Sequence, residues 1–152
     1  MSAILAVRSP FMNVLIAVDD SEESRHAVDV AYRFFGPDAD YSILSVGDRP
    51  PIFVGGYGAG AMPTAADLTL QLDAAHAAAE DAVSHAAERL PDAEIDVEDG
   101  QPGSIICQFA EDHRSEVIVV GSHDRSFWLR LFDPSVRRHV VDHAPCPVLV
   151  VR

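Results

Sequence analysis

The chain is 152 residues long, 48% hydrophobic and 23% charged, with a formal net charge of −13 at pH 7. That is length enough for one domain with a real core, and too much apolar content for a disordered chain. The acidic balance excludes the basic footprint that nucleic-acid binding or a polybasic membrane contact requires.

Every cation is an arginine and lysine is absent, a pattern that fits a high-GC genome or a salt-rich cytoplasm equally. The two cysteines, Cys107 and Cys146, read as small buried hydrophobes, because nothing resembles a secretory signal that would favour a disulfide. No apolar run approaches the ~18 residues of a membrane-spanning helix, so a cytoplasmic protein is expected.

Residues 1–10 are read as an N-terminal extension ended by Pro10, and 11–152 as the domain. The continuous apolar run 13–18 predicts a strand covered on both faces. Asp20 or Ser21 offers the N-cap of a helix that buries Ala27, Val30, Ala31 and Phe34 and stops at Gly36-Pro37. A second strand is predicted over 41–46. The Gly- and Pro-rich stretch 50–63 is a connection. The spacing then predicts a long helix from about Thr64 to Leu90, with Leu68, Leu72, Ala75, Ala79, Val83, Ala86 and Leu90 along one face. Ile95 and Val97 mark a short strand, and Gln101-Pro102-Gly103-Ser104 opens a third helix carrying Ile105, Ile106 and Phe109. Val117–Val120 is a buried strand ending in Gly121. Asp133-Pro134-Ser135 starts a fourth helix, and 148–151 is the last strand. This alternation predicts an α/β fold: a parallel five-stranded sheet with helices on both faces. Ligands of such sheets bind beyond the carboxyl ends of the strands, where Asp19, Val46 and Gly121 fall.

The strand 14–19 with its Ser21-Glu22-Glu23-Ser24 helix start, the segment from Gly121 to Ser135, and the ending Ala144-Pro145-Cys146-Pro147-Val148 together resemble the universal stress protein family over nearly the whole chain. The resemblance implies a Rossmann-like sheet in the order 3-2-1-4-5, flanked by four helices. It also implies a nucleotide site. The carboxylate of Asp19 and the backbone at Val46 would contact the nucleoside. Gly121, Ser122, His123 and Ser135 would lie around the phosphates.

The family's glycine pattern is broken at two places. Asp124 stands where a glycine lets backbone approach a phosphate, and it adds a repelling charge. Pro134 stands at the other, and it lacks an N–H donor. Asp133-Pro134-Ser135 also reads as a self-capped helix start, with the Asp133 carboxylate where a phosphate would otherwise sit. A weakened nucleotide site and a site for a different ligand remain the alternatives there. Phe127 and Trp128 either fill the vacated space or form a contact for a protein partner.

The expectation is therefore a regulatory binding protein with a vestigial or weak nucleotide site, no catalytic residues and no required cofactor. An ATP-binding switch with slow hydrolysis and a dimerisation or interaction module are the rival readings. His76 and His85, nine residues apart, read as solvated or interhelical. His139 and His143 share a helix face, yet no third ligand converges on them, so no metal site is expected. A homodimer through the edge strand 148–151 is expected, alongside an unidentified protein partner, with no nucleic acid and no membrane.

Overall fold

The sheet grows outward from its central strand β1, Asn13–Val18, in which residues 14–18 are all buried. The computed structural model describes residues 11–48, 64–121 and 140–152. Strand β1 pairs in parallel with β2, Asp40–Asp48, on one side and with β4, Val117–Gly121, on the other. Strand β3, Glu94–Gly100, lies outside β2, and β5, Val148–Val151, lies outside β4. The order is β3-β2-β1-β4-β5, as the resemblance implied.

Alternation along the strands splits the core into two layers. Val14, Ile16 and Val18 of β1 face helix α1, Glu22–Phe35, and helix α2, Ala65–Arg89, with Tyr41 and Ile43 of β2 beside them. Leu15 and Ala17 face the other way with Leu44, Val46, Ile118 and Val120, against helix α3, Pro102–Asp112. Residues 140–143 are the described end of a fourth helix, and Val140 joins this second layer. Leu15, Ile16, Ile43 and Leu44 are completely buried, each worth about 1.5–3 kcal/mol of transfer free energy. Such doubly covered strands need helices on both faces, and the crossovers supply them.

Several local expectations are corrected. Strand β2 covers 40–48 rather than 41–46, and β3 is a seven-residue strand rather than a short one. On α1 the core stripe is Ser24, Ala27, Val28 and Ala31, with Phe35 packed beside it, while Phe34 is 75% exposed. Phe34 sits about 100° around the helix from Phe35, so the sheet can take only one of the two rings. On α2 the predicted face is buried at Ala79, Val83, Ala86 and Leu90, whereas Leu72 is exposed. The helix is longer than the sheet is deep. Its 25 residues span about 37 Å. The nine residues of β2 span about 30 Å. The backbone of Ala75 already lies beside Gly47, one residue from the end of β2, so the turns before Ala75 overhang the carboxyl edge of the sheet.

Candidate functional site at the carboxyl ends of the central strands

Strands β2 and β4 flank β1, and the chain leaves β1 towards β2 but reaches β4 from the opposite face. The sheet therefore reverses its winding between β1 and β4, which leaves a crevice beyond their carboxyl ends. Asp19 is the first residue after β1, Gly121 is the last of β4, and Val46 lies two residues before the end of β2. These three predicted residues thus gather at one pole of the sheet. Ser122, His123, Asp124, Pro134 and Ser135 lie outside the described residues, as do Asp133, Phe127, Trp128 and His139.

Asp19 is the most constrained side chain of the group and is buried. Its Oδ1 accepts from the Ser21 amide at 3.1 Å, from the Ser24 hydroxyl at 2.5 Å and from the Ser21 hydroxyl. Its own amide donates to the Ser24 oxygen at 3.0 Å. Ser21 is the N-cap of α1 and accepts the Ser24 amide at 3.2 Å, so the helix start and the carboxylate are built from the same two serines. The other oxygen is different. Oδ2 of Asp19 is buried and has no hydrogen-bond partner among the described residues. A buried acceptor left in that state costs about 1–3 kcal/mol, more when it is charged. A ligand that donates a hydrogen would remove this cost.

Val46 sends its side chain into the α3 layer, where it is buried. Only its backbone can take part in the crevice. Beside it, Ser45 donates its hydroxyl to the Val18 carbonyl at 2.8 Å, closing the β1–β2 ladder just short of Asp19. Gly121 has a structural task in addition to the one the sequence suggests. A Cβ at this position would lie 2.6 Å from the Glu23 carbonyl oxygen and 3.1 Å from the Ser24 amide. Only glycine lets the end of β4 press against the first turn of α1.

The role of Ser24 was missed as a single residue, although its spacing gave a signal. An Asp ending an apolar strand, with hydroxyls two and five residues on, places both hydroxyls at the start of the following helix. His76 was read as solvated or interhelical, yet its Nδ1 lies 3.0 Å from both carboxylate oxygens of Asp99 on β3. Among the described residues no three His, Cys, Asp or Glu side chains gather as a metal site, and His143 is exposed. Cys107 and Cys146 are free thiols. Burial pushes both above the ordinary range, with the neighbouring Cys146 adding to the effect on Cys107, so neither is an activated nucleophile at neutral pH. No described helix is long and apolar enough to cross a membrane.

A cleft of about 740 Å³ opens at the opposite pole, among Asn13, Asp40, Tyr41, Arg89 and Glu94. It lies at the amino ends of β1, β2 and β3, away from Asp19. The crevice at the carboxyl ends remains the better site, because it holds the orphaned acceptor and the winding reversal.

A model of the universal stress protein family matches residues 10–152. The universal stress protein MJ0531 of Methanocaldococcus jannaschii is 28% identical over 150 residues, covering 93% of this chain and 82% of the relative. The universal stress protein UspA structure from Lactobacillus plantarum aligns with a TM-score of 0.62 at 26% identity, over 95% of this chain and 100% of its own. The Arabidopsis thaliana family protein At3g01520, solved with AMP bound, aligns with a TM-score of 0.54 at 20% identity, over 92% of this chain and 90% of its own, a likeness of fold alone. With the family pattern matched along almost its entire length, and the parallel sheet in the order 3-2-1-4-5, the chain belongs to the universal stress protein family.

Proposed function

We propose that the protein is a cytoplasmic regulatory binding protein, not an enzyme, whose crevice keeps the nucleoside half of a nucleotide site and has lost the triphosphate half. The observation that carries this reading is the buried, unpartnered Oδ2 of Asp19 beside an Oδ1 that already has three donors. An acceptor held this way suits the amino group of a base. The phosphate end is argued from the sequence: Asp124 brings a negative charge and Pro134 removes an N–H. At about 4 Å and an effective dielectric of 20, like unit charges repel by about 4 kcal/mol. A triphosphate suffers most from that charge and a monophosphate less. The Arabidopsis family protein was solved with AMP bound, which supports a nucleoside reading of a crevice in this fold.

Calorimetry tests the reading. AMP is expected to bind at millimolar or lower concentration, ATP with magnesium is not, and Asp19→Asn is expected to abolish the AMP signal by turning an acceptor into a donor. Tight ATP binding by the wild type would overturn the loss of the triphosphate half, and absence of AMP binding would overturn the nucleoside half.

The regulatory output rests on association. Strand β5 is the sheet's outer strand next to β4, and its Val150 is 45% exposed. A short apolar edge of this kind supports pairing with a second copy. The opposite edge, β3, is lined with Glu94, Asp96, Glu98 and Asp99 and does not. A further protein partner would read the nucleoside-bound and free states of the dimer.

A further inference from the structure

We infer that the cleft at the amino ends of β1, β2 and β3 is a second binding site, for a small aliphatic polyamine of the spermidine class. It lies at the opposite pole from Asp19, so it stands or falls apart from the nucleoside reading. Its volume of about 740 Å³ falls within the range of small-molecule sites, about 300–1,000 Å³. Its walls are the turns that lead into β2 and β3 and the end of α3.

Acidity alone would attract any cation, but the side chains in the cleft suit a particular one. His113, the C-cap of α3, has its Nδ1 3.0 Å from the Phe109 carbonyl oxygen. A carbonyl only accepts, so Nδ1 carries the proton and Nε2 of the neutral ring is an acceptor. That Nε2 lies 4.0 Å from Oε1 of Glu94. Two acceptors at that spacing cannot hydrogen-bond to each other, whereas an ammonium between them donates to both. The imidazole stacks on the Phe109 ring with centroids 3.7 Å apart, so the acceptor pair is set before a ligand arrives.

The rest of the lining suits a carbon chain and a second charge. Tyr32 and Tyr41 stand side by side with ring centroids 6.4 Å apart, and Tyr32 is 40% exposed. The Tyr41 hydroxyl donates to the Gly36 carbonyl at 2.7 Å, so its proton is spent and its ring is what remains for a ligand. Aromatic rings pack against methylene groups and attract an ammonium. Asp38 and Asp92 are exposed carboxylates on the same walls. Arg89, the arginine among the described lining residues, is paired through Nε with Asp29 of α1. A bare divalent ion would use neither the rings nor the volume, and no three metal-ligating side chains gather among the described residues.

Spermidine is titrated calorimetrically into the full chain at moderate salt, where the general pull of the −13 net charge is screened, and is expected to bind saturably. Glu94→Gln removes the charge from one bridging acceptor, and His113→Asn removes Nε2 while keeping a donor for the Phe109 carbonyl. Each is expected to weaken spermidine binding roughly tenfold, the loss of one hydrogen bond to a charged group. Tyr32→Leu keeps apolar bulk without a π face and is expected to weaken binding about threefold. Glu98→Gln removes the same charge from the same strand about 13 Å further along, and is expected to leave the affinity unchanged. Glu94 and Tyr32 are exposed, so their variants report even where the His113 change disturbs the end of α3. Equal weakening by Glu94→Gln and Glu98→Gln, or displacement of spermidine by magnesium at matched charge, would show only attraction to an acidic surface and overturn the site. Wild type that shows no saturable binding overturns it as well.

Discussion

His76 and Asp99 meet at 3.0 Å and tie the middle of α2 to the end of β3. Gly47, paired with Asp99 in the β2–β3 register, makes the contact possible, because a Cβ there would collide with the Asp99 carboxylate. The Asp99 hydrogen bond and then its charge raise the His76 pKa above the ordinary 6.5, with Glu80 and Asp73 adding smaller effects and desolvation opposing. A raised folded-state pKa contributes stability that is fully present below pH 6.5 and lost as pH rises through the folded value. The melting temperature of Asp99→Asn is therefore expected to lie below wild type in mild acid and to converge with it in mild alkali. Gly47→Ala, which displaces the carboxylate, should lose the same pH-dependent increment. A gap that stays constant with pH would show that the ion pair contributes nothing. Both side chains are exposed, so added salt should shrink the effect.

Gly121→Ala is expected to destabilise the fold by about 1–3 kcal/mol, the usual cost of forcing an extra carbon into a filled space. The obstacle is backbone, the Glu23 carbonyl at 2.6 Å, and cannot swing aside as a side chain would. Urea unfolding measures it. A midpoint equal to that of wild type would show that the first turn of α1 shifts freely.

Glycine at positions 124 and 134 is expected to create affinity for a triphosphate. The double change Asp124→Gly and Pro134→Gly removes one repulsive charge and returns one backbone donor, together about 2–4 kcal/mol or about 30- to 1000-fold in affinity. Calorimetry with ATP and magnesium checks it, after melting confirms that the helix start survives the loss of its proline. A folded double variant that still binds no ATP would move the blame to Phe127 or Trp128, whose truncation is then the deciding step.

Sedimentation should show a dimer in the micromolar range at moderate ionic strength, where the net charge of −13 is screened. Val150→Lys, at a 45% exposed position on β5, is expected to give a monomer with little change in melting temperature. A wild type that sediments as a monomer across that range would rule out the edge pairing.

The strand pattern was the most legible part of the chain. Residues 14–18 and 117–120 are continuous apolar runs because both faces of β1 and β4 are covered, and sequence displays such runs directly. The limits of helix burial were not legible in the same way. Leu68 and Leu72 share the face of Ala79 and Val83, but periodicity along a helix carries no information about where the sheet beneath it stops. Phe34 and Phe35 are adjacent aromatics, and only the rotational setting of α1 on the sheet chose Phe35. At the site, Asp19 was legible from its place after a strand. The asymmetry between its two oxygens was not, since it depends on side-chain rotamers of Ser21 and Ser24.

The two edges of the sheet differ in a way that bears on how large an assembly can become. On β3 the Asp96 carboxylate turns back to accept the Val97 amide at 2.8 Å, so an amide of the edge strand is already occupied by the strand's own side chain. Glu94, Glu98 and Asp99 are exposed around it. A second sheet approaching that edge would meet like charges and a spent donor. Pairing of a second copy at β5 would therefore terminate once two sheets had joined, with the acidic edge as a chain stopper against fibre growth.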